Sequence, residues 1–381
     1  MCPEGRRCQA EGGPGQDMTD RLKRAVQLLP KAELHLHLRG AIPMPVLTEL
    51  LNRHDLEAAL ASAPERVQAA FASYDNLRPF LTSRRRWSAE EVAELLQYRD
   101  LANFLYTFHF TSFAFHSADD LRLLIRGVLD DLARQRIVYA EICISAIEYV
   151  TRGIALPEVV ACLEEAIQHP IVHVQWIVDL VRDAGPDSAL AQLRELIALD
   201  SPAVMGITLG GGEGSFPAGR FREVYALARE RGLRLSVHAG EALGAESVWE
   251  ALEALCPERI GHGVRAIEDP VLVAHLAARQ IPLEVCPTSN IFTGVYPSLG
   301  VHPVRALFEA GIPITISSDD PTFFHTTLAD EYAHLLALGF TDTDVLELVR
   351  NGFRYAFLPE AEITRYLREL EREWECRAAK G

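Results

Sequence analysis

The feature of this sequence that most constrains its fold is a regular alternation of short β-rich segments with longer helical patterns. The short segments concentrate Val, Ile and other β-favouring residues, whereas apolar residues recur every three or four positions in the longer ones. Such alternation is typical of parallel strands joined by crossover helices. The eight β-rich segments predict a closed α/β barrel, the (β/α)8 TIM barrel. They span residues 32–38, 138–144, 172–178, 204–210, 233–239, 259–264, 281–287 and 312–318.

Two regions of the sequence lie outside this repeat of strands and helices. Residues 45–137 contain several helical patterns and predict a helical insertion after strand 1, which we expect to form a lid over the barrel mouth. The residues after the eighth segment predict extra C-terminal helices. We therefore expect one barrel domain over residues 18–381. Residues 1–17 are polar and rich in glycine, so we expect a disordered N-terminal tail, with Met18 as a candidate natural start.

Composition excludes several classes of protein. With 37 basic and 53 acidic side chains in 381 residues, the formal net charge is −16, which argues against nucleic-acid partners and anionic membrane surfaces. No apolar run reaches the roughly 18 residues that a membrane span needs. The seven cysteines are scattered and show no C-x-x-C spacing, so they indicate neither a disulfide framework nor a zinc ribbon. A reducing cytoplasm is the expected location.

Polar residues that could carry out chemistry fall at the carboxyl ends of predicted strands, where barrels of this class place their functional groups. His35 and His37 are two positions apart on the first strand, so their side chains point to the same side. A single buried histidine is usually a hydrogen-bonded core residue, and each one alone is weak support for a site. The complete set is harder to explain by packing: His35, His37, His238, Glu241, His262, Asp319 and Asp320.

Neutral imidazoles together with a carboxylate are a suitable ligand set for Zn²⁺. A catalytic zinc keeps one position open for water and lowers the pKa of that water to roughly 7. Barrels with two metals usually bridge them with a carbamylated lysine, and this chain has no lysine between Lys31 and Lys380. We therefore expect one Zn²⁺ per chain.

These residues lie in segments that resemble the adenosine deaminase branch of the amidohydrolase superfamily. The similar segments are "PKAELHLHLRG", "VMGITLGGGE", "LSVHAGE", "RIGHG", "LEVCPTSN" and "ISSDDP", and the similarity extends from about residue 29 to 332. The resemblance implies a small-molecule purine substrate and hydrolytic loss of its amino group. It also implies that zinc is bound by His35, His37, His238 and Asp319.

The resemblance further implies a role for each remaining polar residue of the site. His262 would orient the zinc-activated water, and Glu241 would exchange a proton with ring N1 of the purine. Asp320 would contact N7, and Gly211 would present its backbone N–H to N3. Asp319 counts as catalytic as well as metal-binding. The water attacks C6, N1 gains a proton and ammonia leaves. Because Glu241 must be protonated to donate, we expect burial to raise its pKa.

The main departure from the family pattern is Arg39, which stands where adenosine deaminases have the Asp of "HLDG" that touches the ribose 5′-hydroxyl. Arginine offers only donors and prefers a carboxylate or phosphate. This change predicts a substrate with an extended or anionic 5′ substituent. The alternative is that Arg39 turns outward or pairs with an acid such as Glu213. Thr208 and Gly212 also replace two acids of the family pattern.

Three further features have two possible interpretations each. Phe104, Leu105 and Phe108 fall on one helical face, where they could cap a bound purine or pack on the barrel. The arginines at 84–86 could collect an anion or form a solvated surface. The glycines at 210–212 could cradle a phosphate, but they fit neither a P-loop nor a G-x-G-x-x-G spacing.

The leading hypothesis is a zinc-dependent deaminase of an adenosine-type nucleoside. Aminodeoxyfutalosine, which has a benzoate at its 5′ side, would suit Arg39. The alternative enzyme is an adenine deaminase or an N6-substituted adenine nucleotide deaminase. A barrel that binds nucleosides without turnover is a third possibility. Such a barrel is expected to lose Glu241, His262 or a metal ligand, and the sequence retains all of them.

Overall fold

The computed structural model describes residues 23–61, 63–81 and 86–378, and it contains all eight predicted strands. The strands are parallel and pair in chain order, and a bridge between Leu36 and Asp319 joins the first strand to the end of the last. The predicted (β/α)8 barrel is therefore confirmed. The strands are Lys31–His37 (β1), Ile137–Ile144 (β2), His173–Asp179 (β3), Val204–Thr208 (β4), Arg234–Ala239 (β5), Arg259–His262 (β6), Leu283–Val285 (β7) and Ile314–Ile316 (β8).

The segment between β1 and β2 is helical, as predicted. Its helices are Met44–Arg53, Leu56–Ala61, Glu65–Ser73, Arg78–Leu81, Ala89–Leu95, Leu101–Thr111 and Ala118–Arg134. That this insertion acts as a lid stays a prediction. The crossover helices are Leu156–Ala166, Pro186–Leu199, Arg222–Glu230, Ala245–Leu255, Pro270–Arg279 and Val304–Glu309. Short helices follow β2 and β7 at Ala146–Thr151 and Pro287–Phe292, and the predicted C-terminal helices are Leu328–Ala337, Asp342–Arg354 and Glu360–Ala378.

Local sequence explains where these helices begin and which face they bury. In the helix Ala118–Arg134, the Ser117 hydroxyl accepts from the backbone N–H of Asp120, and the Asp120 carboxylate accepts from the backbone N–H of Ser117. This reciprocal cap satisfies two N–H groups that the first turn would leave unpaired. Leu121 and Leu124 lie on the buried face of the same helix, which packs on β2. An amphipathic helix of this kind covers the outside of the barrel.

Several predictions concern residues that the structure does not describe. The N-terminal tail at 1–17, Met18, Arg84 and Arg85 lie outside the described residues. Arg86, the last arginine of its run, is exposed. Among the described helices there is none with the length and apolar character needed to cross a membrane.

Gly206 on β4 provides a test of the barrel packing. A Cβ at this position would overlap the carbonyl oxygen of Arg234 on β5 and lie 2.9 Å from its carbonyl carbon. Because strand backbones cannot separate without losing hydrogen bonds, Gly206→Ala should lower the free energy of unfolding by about 1–3 kcal/mol. Gly214→Ala is the matched control, since a Cβ there has no neighbour within 4 Å. Denaturant unfolding of both variants measures the difference, and equal stabilities would contradict this account.

Candidate active site

A cavity of about 920 Å³ opens at the carboxyl ends of the barrel strands. Cavities that bind small molecules commonly enclose roughly 300–1,000 Å³. His35 lies buried beneath its floor, with its ring centroid 4.6 Å from that of His238. The other residues predicted from the sequence line the cavity itself: His37, Arg39, Phe104, Leu105, Phe108, Gly211, His238, Glu241, His262, Asp319 and Asp320.

The three imidazoles of His35, His37 and His238 lie close together, with ring nitrogens all within 4.8 Å of one another, and the Asp319 carboxylate contacts two of them. His37 Nε2 lies 3.3 Å from His238 Nε2 and 3.4 Å from Asp319 Oδ1. His35 Nε2 lies 3.7 Å from the same carboxylate oxygen, and it is buried without a hydrogen-bond partner among the described residues. Donor atoms that surround a zinc ion tetrahedrally at about 2.0–2.2 Å are roughly 3.3–3.6 Å apart. The spacing and the unpartnered nitrogen both fit a metal ion held by these four side chains.

A chain of buried charges orients His35. Its Nδ1 lies 2.8 Å from Glu284 Oε2, so the ring donates through Nδ1 and leaves the Nε2 lone pair for a metal. Glu284 also accepts from Arg259 Nε at 2.6 Å, and the same guanidinium donates to Glu141. Burial opposes ionisation of Glu284, but Arg259 and His35 lower its pKa to about 2. The carboxylate is therefore ionised throughout the working pH range.

His238 is held both through its ring and through its backbone. Its Nδ1 lies 3.3 Å from the hydroxyl oxygen of Thr208, which ends β4. Its backbone carbonyl accepts from Arg182 Nη2 at 2.9 Å. Burial and the neighbouring imidazoles lower the pKa of His238 well below its ordinary value, so the ring is neutral and can offer a lone pair. Thr208, which replaces an acid of the family pattern, thus contacts a predicted metal ligand.

A series of hydrogen bonds sets the tautomer of His262. The backbone N–H of Val304 donates to His302 Nδ1 at 3.2 Å, so the proton of His302 lies on Nε2. That nitrogen is 3.1 Å from Asn290 Oδ1, and the Asn290 amide nitrogen is 3.2 Å from His262 Nδ1. Burial lowers the pKa of His302 to about 4, which keeps its ring neutral. His262 therefore carries its proton on Nε2, 3.5 Å from Glu241 Oε2.

Glu241 stands on a loop that a second carboxylate holds in place. Glu213 accepts backbone N–H groups from Gly240 at 2.6 Å, Glu241 at 3.2 Å and Leu243 at 2.7 Å. It also accepts from the Ser247 hydroxyl. These bonds fix the backbone on which the Glu241 side chain is mounted. Burial raises the pKa of Glu241, as the sequence led us to expect, and so favours the protonated form that can donate.

Asp319 and Asp320 depend on unusual backbone geometry. Asp319 has a left-handed φ of 63°, a conformation that costs free energy for a residue with a Cβ. Its N–H donates to the His35 carbonyl at 3.1 Å and its carbonyl accepts from His37 at 3.0 Å, so β1 holds the strained residue in place. The Asp320 carboxylate packs against Gly40, where any Cβ would overlap it. Burial and Asp319 raise the pKa of Asp320 to about 8, and its Oδ1 has no partner among the described residues.

Two aspartates hold the loop that contains Gly210, Gly211 and Gly212. Gly210 N–H donates to Asp179 at 2.7 Å and Gly212 N–H donates to Asp183 at 2.7 Å. These two N–H groups are occupied by carboxylates, so interpreting the run as a phosphate cradle is wrong. Gly211 lines the cavity with a φ of 84°, and its N–H has no partner among the residues that the structure describes. Of the three glycine N–H groups in this loop, that of Gly211 is the one left for a ligand.

Arg39 pairs with an acid, and the acid is Glu148 rather than Glu213. Its Nη2 lies 2.7 and 2.9 Å from the two oxygens of Glu148. Its Nη1 donates to the Phe108 carbonyl and to Thr111 Oγ1 at 3.2 Å, and the guanidinium carbon lies 3.8 Å from the centre of the Phe108 ring. The two terminal nitrogens of Arg39 are therefore already used within the protein, and an anionic substituent could reach Nη2 only if Glu148 moved away.

The aromatic residues of the insertion pack on the barrel and also border the cavity, and their capping of a purine stays a prediction. Phe104 is buried against Phe324, with ring centroids 5.0 Å apart, and Phe108 packs at 5.0 Å from Phe323. Both rings still face the cavity, and Leu105 is 55% exposed at its rim. The helix Leu101–Thr111 therefore packs on the barrel and also provides an apolar wall for the cavity.

Sequence reasoning missed several residues that shape the site. Glu284 and Asn290 lie within the matched segment "LEVCPTSN", so that segment already contained a signal for them. Glu148, Arg182 and His302 had no such signal. Each of them acts through a partner that is distant in sequence.

A parallel eight-stranded barrel with a histidine and carboxylate cluster at its carboxyl ends defines a hydrolase of the amidohydrolase type. Comparison with known proteins specifies the class further. Residues 30–373 match the family model for adenosine deaminase. The chain belongs to the adenosine deaminase family and is a hydrolytic deaminase.

Individual relatives differ in their named substrates. The chain is 34% identical over 350 residues to an aminodeoxyfutalosine deaminase of Streptomyces coelicolor, covering 90% of this chain and 84% of that protein. It is 33% identical over 348 residues to an adenine deaminase of Agrobacterium fabrum, covering 90% and 98%. Among solved structures, an adenine deaminase from Arthrobacter aurescens superposes with a TM-score of 0.76 at 29% identity, covering 90% of this chain and 98% of that one.

The orienting role of Glu284 can be tested through metal affinity. Glu284→Gln keeps the shape of the side chain but removes the charge that holds His35 and faces Arg259. We expect zinc affinity to fall by roughly 10–100-fold, the usual effect of losing a carboxylate that orients a ligand. Competition with a chelator measures this, and Glu258→Gln, which alters a partly exposed ion pair with Arg234, is the control. An affinity equal to that of the control would mean that Glu284 does not orient the ligand.

Proposed function

We propose that this enzyme hydrolyses the 6-amino group of an adenosine-type purine nucleoside, including one extended at its 5′ position, and releases ammonia. One observation carries the proposal. The cluster of His35, His37 and His238, with Asp319 beside it, lies at a large cavity together with Glu241, whose carboxyl group is 3.5 Å from His262 Nε2. This combination supports a metal-dependent hydrolysis in which Glu241 donates a proton to a purine that carries a sugar.

The cofactor in this proposal is one Zn²⁺ per chain, held by His35, His37, His238 and Asp319. When bound, zinc lowers the pKa of a coordinated water to roughly 7 and so supplies a nucleophile near neutral pH. The donor set of three nitrogens and one oxygen suits this ion. Glu284 and Thr208 complete the arrangement, because each contacts the Nδ1 of a ligating ring.

Glu241 and His262 manage the protons of the reaction. Glu241, whose pKa is raised by burial, donates its proton to N1 as the water oxygen bonds to C6 and the N1–C6 double bond becomes single. The bond between C6 and the amino nitrogen then breaks, and the amino group leaves as ammonia. His262 presents Nε2–H toward the attacking oxygen and can stabilise it or hold it in line. Since Asn290 fixes the opposite nitrogen, the ring does not need to reorient during turnover.

The remaining polar groups position the purine ring. N7 and N3 are both acceptors, so each requires a donor on the protein. A protonated Asp320 carboxyl supplies one for N7, which its raised pKa supports. The Gly211 N–H supplies one for N3. The apolar faces of Phe104 and Phe108 border the same space.

The part of the cavity where the sugar would lie helps to distinguish a nucleoside from adenine and from a nucleotide. The space is larger than a free base requires, which favours a nucleoside. The named activities of the relatives keep adenine as the second candidate. A nucleotide is less favoured, because the two arginines among the described lining residues are both paired, Arg39 with Glu148 and Arg265 with Glu268.

The function is tested by incubating the zinc-loaded enzyme separately with adenosine, aminodeoxyfutalosine, adenine and AMP. The ultraviolet change from aminopurine to oxopurine reports turnover, and kcat/KM ranks the four compounds. We expect a nucleoside to rank first, and one equivalent of zinc to restore activity to metal-free protein. Adenine as the preferred substrate would replace the nucleoside proposal with the second candidate. No turnover of any compound would refute deamination of adenine-type substrates.

Glu241→Gln should keep the fold and the bound zinc but lose most turnover. An amide cannot pass a proton to N1, and general acid–base catalysis typically contributes about 10²- to 10⁴-fold. Single-substrate kinetics with the best compound of the panel measures the loss in kcat. Glu253→Gln, on the exposed side of the helix Ala245–Leu255, is the control. A loss smaller than about tenfold relative to that control would assign the proton transfer to another group.

A further inference from the structure

The ion pair between Arg39 and Glu148 presents its two members very unequally to the cavity. The Arg39 side chain is 4% exposed, whereas the Glu148 side chain is 32% exposed. Both residues line the cavity, Arg39 just after β1 and Glu148 on the short helix that follows the neighbouring strand β2. A bound molecule would therefore meet chiefly the carboxylate of this pair.

Two of the three side-chain nitrogens of Arg39 donate within the protein, and the third, Nε, is buried without a hydrogen-bond partner among the described residues. Nη1 is used by the Phe108 carbonyl and by Thr111, both on the helix Leu101–Thr111, and Nη2 is used by Glu148. The guanidinium plane also lies against the Phe108 ring. An arginine held by backbone, hydroxyl, ring and carboxylate at once has little freedom to turn. It acts as a fixed support for Glu148.

Glu148 keeps capacity for a further hydrogen bond. An ionised carboxylate has about four acceptor positions on its two oxygens. Both oxygens contact the same Nη2 of Arg39, at 2.7 and 2.9 Å, which leaves acceptor positions on the exposed side. The pair thus offers the cavity an acceptor, although the sequence at position 39 suggested a donor.

We propose that Glu148 is a substrate-binding residue that accepts a hydrogen bond from a hydroxyl group on the sugar of the substrate, with Arg39 as the positioning residue. This inference rests on the proposed nucleoside deaminase function. The proposal predicts that the enzyme selects substrates whose sugar is uncharged and carries a hydroxyl donor. A phosphate at the same place would face a carboxylate and a cation that is already neutralised.

The charges around the cavity agree with this assignment. Asp183, Glu268 and Glu148 line its outer part, and Arg265 pairs with Glu268 at 2.7 Å. Among the described residues that line the cavity, eight are acidic and two are arginines. Such a surface favours hydrogen-bond donors over anions.

The test compares adenosine with 2′-, 3′- and 5′-deoxyadenosine, each of which lacks one hydroxyl. In the unmodified enzyme, one of the three deoxy compounds should lose roughly tenfold or more in kcat/KM, because a hydrogen bond to a charged group is lost. Glu148→Leu should remove that discrimination, mainly through a higher KM for adenosine, since the bond exists before and during reaction. Glu148→Gln, which retains one acceptor oxygen, should discriminate to an intermediate degree.

A second measurement isolates the role of Arg39. Without Glu148 its guanidinium is free to bind an anion, so the ratio of AMP to adenosine turnover should rise by about tenfold in Glu148→Leu. Adding Arg39→Met should abolish that rise. Glu268→Gln removes a charge from the same cavity and should leave the ratio of adenosine to the deoxy compounds unchanged.

The possible failures are distinguishable. If the unmodified enzyme turns over adenosine and all three deoxy compounds with equal kcat/KM, the inference is wrong, and no variant is needed to show it. It is also wrong if Glu148→Leu is folded and active but retains the discrimination. Absence of turnover with every purine in the unmodified enzyme would instead defeat the proposed function. Thermal unfolding of each variant shows whether a lost activity reflects the site or the fold.

Discussion

The contact of Glu284 with Arg259 and with the His35 ring is the interaction on which the site depends. A carboxylate buried in a barrel is costly unless hydrogen bonds and opposite charges compensate it. Glu284 receives both from Arg259 and His35, and Arg259 in turn reaches Glu141 on β2. Four strands are tied together by this one chain of charges. His35, the predicted metal ligand at its end, is oriented by the same contacts that compensate the buried charges of the barrel interior.

Much of the fold and of the metal cluster could be predicted because both follow from local rules. Alternation of side chains along β1 places His35 and His37 on one side, and the order of strands places the other ligands beside them. The predicted lengths of β7 and β8 were wrong. Both contain three residues, Leu283–Val285 and Ile314–Ile316, although the apolar patterns covered seven positions each. Pro282 and Pro313 flank these strands, and proline has no N–H to donate to a ladder.

What could not be predicted is set by side chains that meet across long separations in sequence. The sequence identified Arg39 as a departure from the family pattern, but its partner Glu148 is 109 positions away. The two meet because β1 and β2 are neighbours although the whole helical insertion separates them along the chain. The tautomer of His262 likewise depends on His302, whose ring nitrogen is fixed by a backbone N–H. Periodicity and motif spacing contain no information about either contact.

The position of the Arg39–Glu148 pair in the fold affects how substrate specificity can change within this family. The predicted metal ligands are held by strand ends and by the charges inside the barrel. Arg39 also follows β1, but its guanidinium is held by the insertion helix Leu101–Thr111 and by Glu148 on the short helix Ala146–Thr151. The groups proposed for the reaction and for substrate choice thus depend on partly different elements. Mutations at the rim can exchange one class of sugar-side group for another while the reaction centre keeps its geometry. New specificities are therefore accessible through a few substitutions that leave the catalytic apparatus inherited and intact.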